Sequence, residues 1–256
     1  MRIDRNTVIF GSLFKTIFMH TTAKFPLIIL LFSSLTIPSF TLAQEKDNTL
    51  TNTEKKAGWQ LLFDGKTTKG WRMYQNVAAD GWEVVNGELI SKKDGVTKRA
   101  DLITAQQYDN FELVFDWKVD KGANSGVIYR ALENDRPSFE SGPEYQLIDD
   151  NGYTDKLEDW QKSGADYAMH PPSTLAAKPA GEYNRTKIVV NNSHVEHWLN
   201  GIKVVDFELW TPEWQQLKEK GKWKDAKNYA MAKKGYIALQ DHGGGVTFKN
   251  IKLRQL

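Results

Sequence analysis

The feature that most constrains the fold of this chain is a run of strict hydrophobic alternation between residues 111 and 119. Its sequence is FELVFDWKV, in which every second side chain from Phe111 to Val119 is apolar. A period of two is typical of a β-strand with one face in a core, because successive side chains of a strand point to opposite sides. A strand of this kind requires partners, so the rest of the chain must supply further strands.

Short strand-like runs recur along the chain from Gln60 onwards and are separated by turns rich in Gly, Asn and Asp. Twelve strands are predicted, at residues 60–63, 82–85, 88–91, 101–104, 111–119, 127–131, 145–148, 187–190, 194–199, 202–207, 236–239 and 246–253. Many short strands with closely spaced turn signals predict an all-β fold, either a sandwich or a barrel.

Three local signals refine this prediction. The Asn-Gly pairs at 86–87 and 200–201 predict tight type I′ hairpins. The last strand changes phase between Phe248 and Ile251, which predicts a β-bulge near Asn250. A single helix is predicted to begin after a capping Thr211, with Pro212 at its first position, and to end near Lys220.

The first 43 residues are predicted to be a secretory signal peptide. An apolar run at 25–37 (FPLIILLFSSLTI) follows Lys24 and precedes the small-residue pattern Thr-Leu-Ala at 41–43. The run is too short for a comfortable membrane span. The chain contains no cysteine for a lipid anchor, so we expect a periplasmic or secreted protein with no membrane association after cleavage. Residues 44–57 are polar and predicted to be a flexible segment, and residues 58–256 are predicted to form one domain.

The charge balance restricts the partners that the protein can have. The chain carries 34 Lys and Arg against 32 Asp and Glu. Removal of residues 1–43 takes away four basic residues and one acidic residue, and the charge stays close to zero. A near-neutral chain is not expected to bind nucleic acid. Without cysteine it has no disulfide framework either, in spite of the exported address. The oligomeric state has no signature in the sequence.

The segment EYQLIDD at 144–150 is the first candidate for chemistry. If Tyr145 and Leu147 face the core, Glu144 and Gln146 share the outer face, with side chains roughly 7 Å apart. Such a pair suits hydrogen bonds to sugar hydroxyls, or a carboxylate acting as a base or metal ligand. An ordinary solvated face would give the same pattern. Asp149 could help to hold a hard cation, but the sequence Asp-Asp-Asn-Gly is that of a common turn.

Two further segments offer polar groups. Asn124 precedes the predicted strand at 127–131, and Arg130 lies within that strand and shares parity with Ile128. The Arg130 guanidinium could bind a carboxylate or polarise a carbonyl, or could simply pair with Glu144. Gln240 and His242 share a face at a strand end that runs into three glycines. A histidine there suits a proton carrier or metal ligand, or it caps a loop. No zinc spacing, phosphate loop, nucleophile elbow or dinucleotide fingerprint occurs.

The sequence resembles the 3-keto-disaccharide hydrolase domain family in seven segments, which occur in the family's order across residues 58–256. They are WQLLFDGKTTKGW, WEVVNGELIS, ANSGVIYR, EYQLIDD, SGADY, EYNRTKIVVNNSHVEHWLNG and GYIALQDHGGGVTFKNIKLRQL. The resemblance implies a jelly-roll sandwich of two antiparallel sheets, similar to the concanavalin A-like lectins and glucanases. Many members carry an Asn-His-Pro-Asp-like segment after the EYQ strand, where this chain has Gly152–Asp155 with Tyr153 in the place of the histidine.

The resemblance further implies an exported enzyme that cleaves glycosides already oxidised to a ketone at C3, by elimination across C1 and C2 followed by hydration. Glu144 or His242 would be the base, and Arg130 or a bound divalent cation would stabilise the enolate. The residues expected to contact the sugar are Asn124, Gln146, Asp149 and Gln240. No cofactor is certain, and a divalent metal ion is possible. The alternative is a non-catalytic carbohydrate-binding module, because the same fold serves lectins.

Overall fold

The computed structural model describes residues 46–134 and 136–256, which form two antiparallel β-sheets. The strands are β1 (Gln60–Leu61), β2 (Trp71–Met73), β3 (Trp82–Val85), β4 (Glu88–Ser91), β5 (Leu102–Thr104), β6 (Phe111–Val119), β7 (Asn124–Ala131), β8 (Glu144–Ile148), β9 (Asn184–Asn191), β10 (His194–Leu199), β11 (Ile202–Glu208), β12 (Tyr236–Leu239) and β13 (Val246–Gln255). The two α-helices are α1 (Asn52–Lys56) and α2 (Pro212–Lys220), with 3-10 turns at Tyr74–Asn76, Ser138–Glu140 and Asp159–Gln161.

The larger sheet has the order β11-β10-β9-β6-β13-β4-β3, with β1 paired to β13, and the smaller sheet has the order β2-β5-β12-β7-β8. The alternating strand β6 lies inside the larger sheet, between β9 and β13. These two antiparallel sheets confirm the predicted all-β sandwich. The strand that the sequence pattern missed is β2, which has only three residues between turns.

The core lies between the sheets and determines which face of the smaller sheet is free. Phe115 of β6 packs edge-on against Tyr145 of β8, with ring centroids 6.2 Å apart, and Phe111 meets Tyr129 of β7 at 6.5 Å. All four side chains are almost fully buried, and each contributes about 1.5–3 kcal/mol by burial. Because Tyr145 points into the core, its neighbours Glu144 and Gln146 point to the outer face of the smaller sheet.

The predicted turns are confirmed in their geometry. Asn86, Gly87, Asn200 and Gly201 all have positive φ, as a type I′ turn requires. The register of β13 against β6 shifts between Lys249 and Lys252, around an Asn250 with a φ of 55°. Helix α2 begins after Thr211, whose hydroxyl accepts a hydrogen bond from the Trp214 amide at 3.2 Å, and ends before Gly221.

The prediction of a flexible segment at 44–57 is wrong for its described part. Asn48 is buried, and its amide donates to the Asn250 side chain at 2.6 Å, while the Asn250 amide donates to the Asn48 side chain at 2.8 Å. Helix α1 follows, with a capping box formed by Thr51 and Glu54. The polar pattern looked solvated because its partner, the bulge of β13, is about 200 residues away.

The predicted signal peptide at 1–43 lies outside the described residues and stays a prediction. Within the residues that the structure describes, no helix has the length and apolar character needed to cross a bilayer.

The long connection between β8 and β9 covers the edge of the smaller sheet. Residues 163–167 run beside β8: the Gly164 amide donates to the Gln146 carbonyl at 2.9 Å, and the Tyr167 amide donates to the Glu144 carbonyl at 3.0 Å. An edge strand left open would invite pairing with another chain. The loop therefore protects β8 and also places the Tyr167 side chain beside Glu144.

Candidate active site

A narrow pocket of about 70 Å³ opens on the outer face of the smaller sheet. It is lined by side chains from β7, β8, the end of β12 and three loops, namely Asn124, Phe139, Glu144, Gln146, Tyr167, Lys222, Gln240 and His242. Five of the seven residues predicted for the site are among them: Asn124, Glu144, Gln146, Gln240 and His242. Segments more than 100 residues apart in sequence thus meet in one place.

Glu144 is the most perturbed group of this pocket. Its side chain is almost fully buried, and no described residue forms a hydrogen bond with its carboxyl group. Burial raises the pKa of Glu144 to about 8, because a charged carboxylate loses its hydration there. The nearby charge of Lys222 opposes this shift, while Asp101 and Asp166 add to it. A carboxyl with a pKa near neutral pH, free of partners and facing a pocket, suits a general base.

Gly126 gives Glu144 the room that it needs. Gly126 lies within β7, opposite Gln146 of β8. A Cβ atom on Gly126 would lie 2.1 Å from Oε1 of Glu144 and 2.7 Å from its Cγ and Cδ. Any larger residue at this position would therefore overlap the carboxyl group.

The substitution Gly126→Ala is expected to lower activity by about 10- to 100-fold, since the new methyl group displaces the Glu144 carboxyl by about an ångström. Steady-state kinetics on the wild type and the variant measure the loss. In a Glu144→Gln background the same substitution should cost little more, because the displaced group is already inactive. Losses that multiply in the double variant would contradict this role of Gly126.

Two buried amide oxygens point to a polar ligand. Nε2 of Gln146 donates to the Gln161 carbonyl at 3.0 Å, which leaves Oε1 of Gln146 buried and without a partner among the described residues. Oδ1 of Asn124 is in the same state. A buried unpaired acceptor costs about 1–3 kcal/mol, and a sugar hydroxyl that donates to it removes this cost. Both oxygens therefore suit the recognition of hydroxyl groups.

Lys222 is the cation among the residues that line the pocket, and no sequence pattern singled it out. Its Nζ donates to the Tyr167 hydroxyl at 3.1 Å and lies 4.3 Å from the centre of the Tyr167 ring. The next residue, Trp223, stacks on Tyr229 at 4.4 Å and anchors this segment. In the sequence, Lys222 is one of several lysines after α2, and only the adjacent Trp223 sets it apart from the others.

Gln240 and His242 occupy the opposite wall. Gln240 is buried, its backbone N–H donates to the Gly126 carbonyl at 2.9 Å, and its backbone carbonyl accepts from the Ser125 hydroxyl at 2.8 Å. His242 follows on an exposed loop at the rim. Between them, Asp241 turns inward to Arg99 at 2.8 Å. The backbone of Gln240 is therefore fixed, whereas His242 is exposed and borders both the pocket and solvent.

The structure corrects the expectation for Arg130. Its φ of 53° marks a bulge in β7, where the pairing with β12 shifts between Tyr236 and Ala238. Because of the bulge, Arg130 does not follow the alternation that would place its side chain on the same face as that of Ile128. The guanidinium is buried elsewhere, where it donates to the carbonyls of Asp109 (3.0 and 2.9 Å) and Asn192 (2.9 Å). Arg130 does not line the pocket, so the hypothesis that it stabilises an enolate there is wrong.

Asp149 is also outside the pocket. Its carboxylate accepts from the amides of Gly122 at 2.9 Å and Asn151 at 3.3 Å, and its carbonyl accepts from the Tyr153 amide at 3.1 Å. The predicted sugar contact by Asp149 is therefore wrong, and the turn that the sequence also allowed is what forms. Tyr153 belongs to this turn.

The possible divalent ion stays a prediction. In the described part of the chain, the group of three histidine and carboxylate side chains close enough to share an ion is His194, Glu196 and Asp206 on the β10–β11 hairpin. Nζ of Lys203 lies 3.2 Å from Glu196 and also pairs with Asp206. A lysine already neutralises these carboxylates, so the group reads as a surface ion-pair network.

A wider cavity of about 490 Å³ adjoins the narrow pocket. The two share the side chains of Phe139, Gln240 and His242. Tyr74, Val77, Lys98 and Asp101 are among the other residues that line it. Burial raises the pKa of Asp101, whose carboxylate accepts hydrogen bonds from the Ser138 hydroxyl and the Asp241 amide.

The chain is similar to known proteins in both sequence and fold. The profile of the 3-keto-alpha-glucoside-1,2-lyase-like domain matches residues 58–254. A 3-keto-disaccharide hydrolase from Bacteroides thetaiotaomicron is 35% identical over 229 residues, which is 78% of this chain and 79% of the relative. A crystal structure of a protein from Parabacteroides distasonis, considered a glycosyl hydrolase, is 39% identical, with a TM-score of 0.77 over 82% of this chain and 100% of that one. A second such protein from the same organism is 28% identical, with a TM-score of 0.61 over 77% and 99% of the two chains.

Proposed function

The chain belongs to the 3-keto-alpha-glucoside-1,2-lyase-like domain family, and from this premise we propose that it is an exported enzyme that cleaves 3-keto-glycosides by elimination and hydration. A role in glycoside hydrolysis follows from the family and from the hydrolase relative. The finer proposal, an oxidised sugar and an elimination step, needs its own support from the pocket.

The observation that carries the proposal is the buried, unpartnered Glu144 beside Lys222. Ordinary glycosidases use two carboxyl groups that flank the scissile bond. Glu144 is the sole carboxyl among the described residues that line the narrow pocket. One base with a raised pKa and one cation match a different reaction, in which a proton is removed next to a ketone and the resulting enolate is stabilised.

In the proposed first step, the Glu144 carboxylate takes the proton from C2, which the ketone at C3 acidifies. The C–H electron pair forms the C2=C3 double bond, and the negative charge moves to the C3 oxygen. Lys222 stabilises that oxygen. Lys222 is an exposed residue that lines the pocket, and its charge is close enough to lower the pKa of Glu144, so that its ammonium can reach an oxygen held beside that carboxyl.

In the second step, the enolate reforms the C3 carbonyl, the C1=C2 double bond forms, and the bond from C1 to the leaving oxygen breaks. His242 gives a proton to the leaving oxygen, consistent with its place between the pocket and the wider cavity. Water then adds across C1=C2, with hydroxide at C1 and a proton at C2, and the product is the free 3-keto sugar. The oxygens of Asn124 and Gln146 accept hydrogen bonds from the sugar hydroxyls.

The test is to incubate the protein with a 3-keto-glucoside and to follow the release of both halves. We expect cleavage of the oxidised substrate and none of the matched unoxidised glucoside, because only the former has an acidic C2 proton. Deuterium at C2 of the substrate should slow the reaction if proton removal limits it. Equal cleavage of both glucosides would refute the elimination. Binding without cleavage of either would instead support a carbohydrate-binding module.

A further inference from the structure

The narrow pocket is too small to hold a whole glycoside. At about 70 Å³, the narrow pocket around Glu144 has room for only a few water molecules. Pockets that bury an entire small-molecule ligand have volumes of roughly 300–1,000 Å³. Only the edge of a sugar ring that carries the reacting atoms can enter the narrow pocket, and the remainder of the substrate must lie elsewhere.

We propose that the adjoining 490 Å³ cavity is the binding site of the leaving group, and that it takes a second pyranose ring. This inference rests on the proposed function. The two cavities meet at Phe139, Gln240 and His242. A substrate with its C2 at Glu144 and its glycosidic oxygen near His242 directs the leaving group into the wider cavity.

The lining of the wider cavity is matched to a sugar. A pyranose ring has apolar C–H faces and a hydroxyl edge, and protein sites bind such rings between aromatic surfaces and polar groups. Phe139 and Val77 supply apolar surface. Lys98, an exposed residue, lies at the same cavity, and its ammonium forms no ion pair within the described residues. Three donors on this group are therefore available to hydroxyl oxygens.

The walls of the cavity are held in place before any ligand binds. The hydroxyl of the buried Tyr74 donates to the Arg136 carbonyl at 2.7 Å, which ties one wall to the loop that carries Phe139. On the other wall, Arg99 pairs at 2.8 Å with an Asp241 side chain that is completely buried. Preorganised walls reduce the entropy lost on binding, as expected for a binding site and not for a gap between loops.

The substitution Val77→Trp tests the inference because the larger side chain fills the cavity without touching the narrow pocket. We expect kcat/KM for a 3-keto-disaccharide to fall by about tenfold or more, mainly through KM, while kcat/KM for a methyl 3-keto-glucoside stays within about twofold of the wild type. Val85→Trp is the matched control. Val85 is exposed in the larger sheet, and the variant should leave both substrates unaffected.

A second variant covers the case in which Val77→Trp does not fold. Lys98→Ala should raise KM for the disaccharide by a few-fold and leave the methyl glycoside unchanged. Equal losses on both substrates, or no loss on either, would overturn the subsite while the proposed function survives. A wild-type protein that cleaves neither substrate would refute the proposed function, and the subsite with it.

Discussion

Replacing Glu144 with glutamine should lower kcat/KM for a 3-keto-glycoside by about 10²- to 10⁴-fold, the range by which a positioned base accelerates proton transfer. Glutamine has nearly the same shape, so the pocket stays filled while the base is lost. Single-turnover and steady-state kinetics measure the effect. The matched control is Glu83→Gln, an exposed residue of β3 in the other sheet, which should keep wild-type activity. Near-native turnover by the Glu144→Gln variant would remove Glu144 from the mechanism.

The pH dependence of the wild type gives the same prediction a second readout. Glu144 acts as a base only when it is deprotonated. With its pKa at about 8, kcat/KM should rise as the pH increases towards 8. A profile that stays flat between pH 6 and pH 9 would contradict this role, because a purely structural Glu144 would not make kcat/KM depend on pH.

As the pH rises, the stability of the fold should fall while the activity increases. The pKa of Glu144 is about 8 in the folded protein against 4.5 ordinarily, so the folded state holds a proton that the unfolded state releases. The wild type therefore loses stability as the pH rises from about 4.5 to 8. Glutamine does not titrate, and Glu144→Gln should stabilise the fold by up to the order of 3 kcal/mol at pH 7 and by little at pH 4. Denaturant unfolding at the two pH values measures this difference.

Replacing Lys222 with methionine is expected to have the second largest effect, a loss of about 10²- to 10³-fold in kcat. This is the range found when a group that stabilises a developing oxyanion is removed. Methionine retains much of the aliphatic length, so the packing on Tyr167 is largely kept. Lys224→Met is the matched control, since Lys224 is an exposed lysine two residues further on.

The Lys222→Met variant also has a readout that a structural role would not produce. Lys222 lowers the pKa of Glu144, so its removal should shift the rise of kcat/KM to higher pH. Loss of activity with an unshifted profile would mean that Lys222 acts only by packing. Full activity in the variant would mean that the enolate is stabilised by another group.

Local patterns predicted the parts of the site that depend on strand periodicity. Glu144 and Gln146 were placed on the outer face because Tyr145 and Leu147 alternate with them, and the structure agrees. The same rule gave the wrong direction for the Arg130 side chain, because a bulge in β7 interrupts the alternation. The bulge forms where β7 pairs with β12, about 100 residues further on, and no local sequence pattern in β7 predicts it.

The sequence by itself determined the alternation of β6, the two Asn-Gly hairpins, the bulge at Asn250 and the boundaries of α2, since each depends on neighbouring residues in the chain. Only the tertiary structure decided that Lys222 lines the same pocket as Glu144, that Gly126 leaves room for the Glu144 carboxyl, and that Asn48 bonds to the bulge of β13. The physical reason is that a pKa near 8 and an unpaired amide oxygen arise from burial by distant segments, and burial is a property of the packed sheets rather than of any stretch of sequence.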